Sequence, residues 1–205
     1  GKFRRLFYVP GNHEMWLPKT ELKTYPDSLC KFLHILDLCD ELDIDVAPAA
    51  VCQGLFVVPF FSWYNAEFNV MDPFPDPKSK ADKHAVWPLD KYHQVWRYML
   101  ALNRVNTERP YPGTVISLSH FVPRDDLPSS VQDRKTTGCR EIEKQVRAVN
   151  SSCHVYGHTH FDFSSKLEGV YYVHRPLFHR GSDFLTPIMC IFDGQSLCNS
   201  LVPIQ

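Results

Sequence analysis

Three short apolar runs in this chain stop abruptly at glycine and histidine. Arg4–Val9 leads through Pro10 into Gly11-Asn12-His13-Glu14, Thr114–Ser119 leads into His120, and His154–Tyr156 leads into Gly157-His158-Thr159-His160. Runs of this length, rich in β-branched and aromatic residues, are expected to form buried strands. Gly54–Trp63, Val170–His174 and Pro187–Phe192 read the same way, with Pro59 marking an end or a bulge. Between the strands the spacing changes to a helical one. Ser28–Leu42 places Leu29, Phe32, Leu33, Leu36 and Leu42 on one face, with Asp27 or Ser28 as N-cap. Asp90–Arg104 carries Tyr92, Val95, Trp96, Met99 and Leu102 at helical spacing, and Thr137–Val149 is a third helix. Strands alternating with helices imply a layered α/β fold.

Charge and length exclude several classes. The chain has 205 residues, room for a single domain over 1–205. Residues from about 65 to 112 form a Pro- and aromatic-rich excursion between two site-bearing strands; packing is the expectation for the helical Tyr92, Trp96 and Tyr98, while the loop with Trp87 is open between packing and part of the substrate wall. Lys plus Arg number 22 against 23 for Asp plus Glu, so no dedicated nucleic-acid tract is expected. No apolar run approaches the roughly 18–20 residues of a membrane span. Seven cysteines, an odd number with no Cys-x-x-Cys pair, fit a reducing compartment, and a cytoplasmic protein is the expectation.

The chemistry sits at the strand ends, where open α/β sheets collect their ligands. An Asn amide oxygen and neutral imidazole nitrogens suit borderline divalent ions, which makes Asn12, His120, His158 and His160 candidate metal ligands. Spaced two apart in an extended or turning segment, His158 and His160 can grip two different ions. Gly11 and Gly157 let the backbone turn tightly after a strand. His13 is the candidate catalytic residue: beside a metal-bound phosphate it can protonate the leaving oxygen, with Glu14 orienting its ring. Arg124, Arg175 and Arg180 follow the second and third of these strand ends and are candidate phosphate clamps. A chance Gly-Asn-His-acid in this length is roughly one in a thousand, and a chance Gly-His-x-His about one in two hundred. Both together, each after an apolar run, are a strong signal.

On the blocks Gly11–Glu14, Ser119-His120 and Gly157–His160 the chain resembles the calcineurin-like metallophosphoesterase superfamily. The family pattern runs Asp-x-His, Gly-Asp, Gly-Asn-His-Asp/Glu, a His after a strand, then Gly-His-x-His. The resemblance implies a four-layer α/β/β/α sandwich around two divalent metal ions, of which Mn, Fe and Zn are candidates. It assigns Asn12, His120 and His158 to the second ion, His160 to the first, and the catalytic role to His13. It implies a phosphoester substrate, hydrolysed by a hydroxide shared between the ions. The first two blocks are absent: no Asp-x-His precedes Gly11, and Gly-Asp occurs nowhere. Asp82-Lys83-His84 fits the first block as a string, but it lies in the wrong order and in the excursion, and reads as a decoy. A chain lacking its N-terminal βαβ portion is therefore the expectation. The alternative is a non-catalytic interaction scaffold on the same fold. Oligomeric state is open.

Overall fold

A parallel core of four strands organises the chain. The computed structural model describes residues 3–68, 81–90, 94–129, 134–177 and 188–202. Strands β1 (Ala49–Cys52), β2 (Leu55–Phe60), β3 (Thr114–Ser119), β4 (Cys153–Val155), β5 (Phe163–Leu167) and β6 (Val170–His174) form one sheet in the order β1-β2-β3-β4-β6-β5. Pairing is parallel from β2 through β3 and β4 to β6. Hairpins add β1 and β5 antiparallel at the two edges. Strands β7 (Ile188–Phe192) and β8 (Leu197–Val202) make a separate antiparallel pair.

Side-chain alternation along the strands separates two apolar layers. Val58, Phe60, Val115, Val170 and Tyr172 point to one face of the sheet. There they meet helices α1 (Ser28–Glu41), α2 (Val95–Leu102) and α4 (Arg140–Ala148), through Phe32, Val95, Met99, Ile142 and Val146. The short helix α3 (Arg104–Thr107) follows α2. The opposite face presents Leu55, Ile116, Cys153 and Val173 to Met189, Ile191, Phe192 and Leu197 of the β7–β8 pair. Helix, sheet and second sheet are thus stacked in an α/β arrangement. Each fully buried Phe, Val or Ile contributes roughly 1.5–3 kcal/mol to holding these layers together.

Local chemistry explains where the elements begin and end. Asp27 caps α1 by accepting from the Cys30 amide at 2.8 Å. That helix buries Phe32 and Cys39, with Ile35 and Leu36 beside them, whereas Leu33 and Leu42 face solvent. Pro59 stays inside β2, paired with Leu118, because β1 pairs with β2 no further than Val57 and the proline meets no partner on that side. Arg4–Val9 is not a sheet strand. It makes one parallel bridge, Phe7 to Asp45, beside a segment bounded by Asp43 at φ 54° and by Pro48, neither of which prolongs an extended pairing. Helix α2 starts at Val95, and Tyr92 lies outside the described residues. Trp87, Trp96 and Tyr98 pack against the main core. All seven cysteines are free thiols. Among the described residues no helix is long and apolar enough to cross a membrane.

One buried titratable group sits in the sheet itself. His154 of β4 is fully enclosed, its Nδ1 2.7 Å from Ser117 Oγ and its Nε2 3.1 Å from Ser119 Oγ. Burial pulls its pKa down from the ordinary 6.5 to about 3. The unfolded chain takes up this proton near pH 6.5 and the fold does not, so stability from a neutral His154 is complete above that pH and drains away as the pH falls toward 3. Urea unfolding between pH 6 and 4 should therefore lose about 1.4 kcal/mol less per pH unit in His154→Gln than in the wild type. An unchanged slope would show that the ring is not held neutral.

Candidate functional site

The carboxyl ends of β3 and β4 face the turn that carries Asn12, and three side chains meet there. His120 Nε2 stands 3.1 Å from Asn12 Oδ1 and 3.2 Å from His158 Nδ1. Parallel pairing of β3 and β4 brings the two histidine-bearing turns side by side, and the Gly157 amide donates to the His120 carbonyl at 3.0 Å. Gly11 is required sterically. A Cβ there would lie 2.5 Å from His120 Cε1, closer than real Cβ contacts. At Gly157 a Cβ would lie 3.3 Å from His120 Nδ1 and 3.3 Å from its carbonyl oxygen, so the ring is pinched between two glycine turns. Phe121 forms the floor, its ring centroid 4.9 Å from that of His120 and 4.8 Å from that of His158.

Backbone strain marks the second turn. His158 has φ 72° and His160 φ 60°, left-handed conformations that are uncommon for residues with a Cβ. Such positions cost of order 1–3 kcal/mol each and cluster at functional sites. The strain aims His158 at His120 and sends His160 outward, where it is exposed. Thr159 between them is anchored by its Oγ1, 2.9 Å from Nδ1 of the buried His174 at the end of β6.

Electrostatics keep the cluster neutral. Burial lowers His120 well below the ordinary histidine value, and the neighbouring His158, His13, His174 and His160 push in the same direction. His158 is brought down to about 4 by burial, partly offset by the Asp82 carboxylate and reinforced by His160 and His13. His174 is likewise lowered to about 4 by burial, then by His160 and His158. Five histidines therefore stand close enough to feel one another. At neutral pH the rings of His120 and His158 offer lone pairs rather than charge, as ligation requires.

Asp82 is the site residue that sequence reasoning missed. Its carboxylate is 2% exposed, and Oδ1 accepts from Asn12 Nδ2 at 2.9 Å and from Trp16 Nε1 at 2.8 Å. With the amide nitrogen committed to Asp82, the amide oxygen of Asn12 is the atom left facing His120. Asp82-Lys83-His84 lies on a short 3-10 helix rather than after a strand. Its aspartate reaches the crevice through the fold, by the Trp16 to Ala85 bridge, and not by the spacing of a motif.

Other expected residues are placed differently. His13 is exposed, and its ring lies flat on Trp16 with centroids 3.8 Å apart and 26° between planes. Glu14 does not orient that ring. Its Oε2 accepts from the Gly11 amide at 2.7 Å, the three-residue reach by which a carboxylate closes a tight turn. Arg124 is not brought to the crevice. Its guanidinium pairs with Asp126 at 2.7 Å and Glu168 at 2.8 Å, and lies over the Tyr172 ring, in a network with Glu143 and Arg147 that ties α4 to the β5–β6 turn. Those partners raise its pKa further. Arg175 follows β6 and pairs with Asp162. Arg180 lies outside the described residues. Among the described residues no group of three His, Cys, Asp or Glu side chains is arranged around a common point for a metal ion; the trio at the crevice is two histidines and an asparagine.

The fold is one found in a hydrolase of known structure. That protein is the phosphopantetheinyl hydrolase from Mycobacterium tuberculosis: it shares 20% identity over 84% of this chain and 68% of its own, with a TM-score of 0.59. A second solved structure, a protein of Thermus thermophilus, aligns at 14% identity over 82% of this chain and 61% of its own, with a TM-score of 0.40. No protein-family model matches the chain, and no curated protein matches it either.

Replacing Asp82 by Ala leaves two N–H groups, those of Asn12 and Trp16, without their acceptor. At roughly 1–3 kcal/mol for each buried unpaired group, the expected loss is about 2–6 kcal/mol in urea unfolding. The Asn12 side-chain amide should also lose its protection from hydrogen exchange in NMR spectra. Wild-type protection in that variant would show that Asp82 does not hold the amide.

Proposed function

We propose that this chain is a single domain, over 1–205, of a metal-dependent hydrolase of phosphoester bonds. The observation that carries this reading is the meeting of Asn12 Oδ1, His120 Nε2 and His158 Nδ1 within 3.1–3.2 Å contacts at the carboxyl ends of two parallel strands. The donor set, one amide oxygen and two neutral imidazole nitrogens, is that of a borderline divalent ion such as Mn, Fe or Zn. The residues therefore fit the group that the Gly-Asn-His-Glu and Gly-His-Thr-His blocks imply.

In this reading Asn12, His120 and His158 hold one ion, and His160, exposed on the outer side of the strained turn, contributes to a second. Bound divalent ions supply Lewis acidity toward the phosphoryl oxygens and lower the pKa of an attacking water. The chain itself does the rest. Asp82 keeps the Asn12 oxygen turned inward. Gly11 and Gly157 hold the His120 ring in place. His13, fixed flat on Trp16 at the mouth of the crevice, passes a proton to the departing oxygen. The likeness to the phosphopantetheinyl hydrolase supports the fold for this chemistry.

The test uses the full-length protein that contains this chain. His13→Ala should lower turnover of bis(4-nitrophenyl) phosphate by roughly 10²–10⁴-fold while bound Mn, measured by plasma emission, stays near the wild-type amount. His158→Ala should lose bound metal. Wild-type activity in His13→Ala removes that residue from the mechanism, and an unchanged metal count in His158→Ala removes it as a ligand. A wild-type protein that binds no divalent ion would favour an interaction scaffold.

A further inference from the structure

A groove of about 590 Å³ opens beside His13 and Trp16. Its volume lies in the range of small-molecule sites. Trp16, Leu22 and Val86 give it apolar walls, while Lys19, Lys83 and His84 stand around it as donors. Among the described residues lining the groove the sole carboxylate is Glu21, and it is paired with Lys31 at 2.6 Å. Lys31 is also tied to the Trp16 carbonyl at 2.7 Å. Asp82, next to Lys83 in the chain, is buried and bonded through Oδ1 to Asn12 and Trp16. Among the described residues that line the groove, Lys19 and Lys83 thus stand beyond what its acid balances.

The groove has a definite place in the reaction. Phosphorus belongs on the Asn12, His120 and His158 side, and His13, which lines the groove, lies close enough to His120 and His158 to act on both. What leaves past His13 enters the groove. We infer that this groove binds the leaving group of the substrate, and that the preferred leaving group combines an apolar, ring-sized body with a second anionic group. The inference rests on the phosphoesterase reading and names the substrate class for that site. Trp16 offers its indole face and the aliphatic walls cover the body, while Lys19 and Lys83 take the anion. An uncharged alcohol would leave both ammonium groups unanswered, and a fully hydrophilic one would leave the apolar walls wet.

Two methyl aryl phosphodiesters test this, one releasing 4-hydroxybenzoate and the other 4-hydroxybenzamide, so that the leaving groups differ by one charge. With the full-length Mn-loaded protein, kcat/KM should favour the carboxylate by about tenfold, the sum of two exposed ion pairs. The preference should sit in KM and fade at high salt. Lys19→Gln combined with Lys83→Gln should bring the ratio of the two esters close to one. Equal rates in the wild type overturn the inference while leaving the hydrolase reading intact. Should neither ester be hydrolysed, the hydrolase reading fails, and calorimetric titration with the two free phenols still decides the groove. Tighter binding of 4-hydroxybenzoate, lost in the double variant, upholds the groove as an anion site, and equal affinities reject it.

Discussion

The imidazole of His120 is clamped between two backbone turns, and the geometry of the crevice follows from that clamp. Gly11 approaches from the loop after Val9 and leaves no room for a methyl group against the ring, and Gly157 approaches from the end of β4 with room only for a tight one. A histidine held in this way cannot choose among rotamers, so its Nε2 occupies one position, and Asn12 and His158 are arranged around it. Pre-organisation of this kind is worth more than added contacts, because the cost of ordering the ligands is met during folding and not when an ion or substrate arrives.

The sheet supplies the forces that hold the clamp shut. The pairs Leu118 with Val155 and Pro59 with Phe60 against Leu118 and Ser119 carry the parallel ladder to the edge of the crevice, where it ends. Beyond the ladder the chain has to turn back, and at His158 and His160 it does so through left-handed residues that are not glycine. Glycine at those positions would relieve the strain and forfeit the two imidazoles. The cost is offset by the apolar layer beneath, where Trp63 stacks on Tyr64 and Phe121 meets both edge-on, all fully buried with ring centroids 5.1–5.4 Å apart.

Much of this was legible in the residues, and the exceptions have physical causes. β3 and β6 fall where their β-branched and aromatic runs place them, and α1 where its cap and spacing do. β1, β5 and β8 escaped notice because AAVC, FSSKL and LCNSLV are short or polar: each is a sheet edge or a hairpin partner and not a central strand. Arg4–Val9 has the composition of a central strand and yet makes a single bridge, since β-propensity records fitness for a pleated surface and not the presence of a partner. The blocks around Asn12, His120 and His158 were readable because a glycine next to an expensive polar residue after an apolar run has few structural uses. Arg124 was not: nothing in its neighbourhood forecasts that Glu168, 44 residues away, holds its guanidinium.

Asp82 shows why order along the chain is a poor guide to proximity in space. Sequence logic dismissed it for lying after the Gly-Asn-His-Glu block instead of before it, and for sitting in the excursion and not after a strand. The order holds and the segment is a 3-10 turn, yet the side chain is buried against Asn12. One carboxylate oxygen joins Asn12 Nδ2 to Trp16 Nε1, and Trp16 in turn carries His13 on its face. A displacement of the indole by something bound in the groove would therefore act at both ends of this chain of contacts, on the proton-bearing ring and on the amide oxygen that faces His120. The groove, the proposed acid and the first proposed ligand are joined through Trp16 and Asp82, and the 3-10 turn at Ala81–His84 supplies both that carboxylate and two of the groove's lining residues.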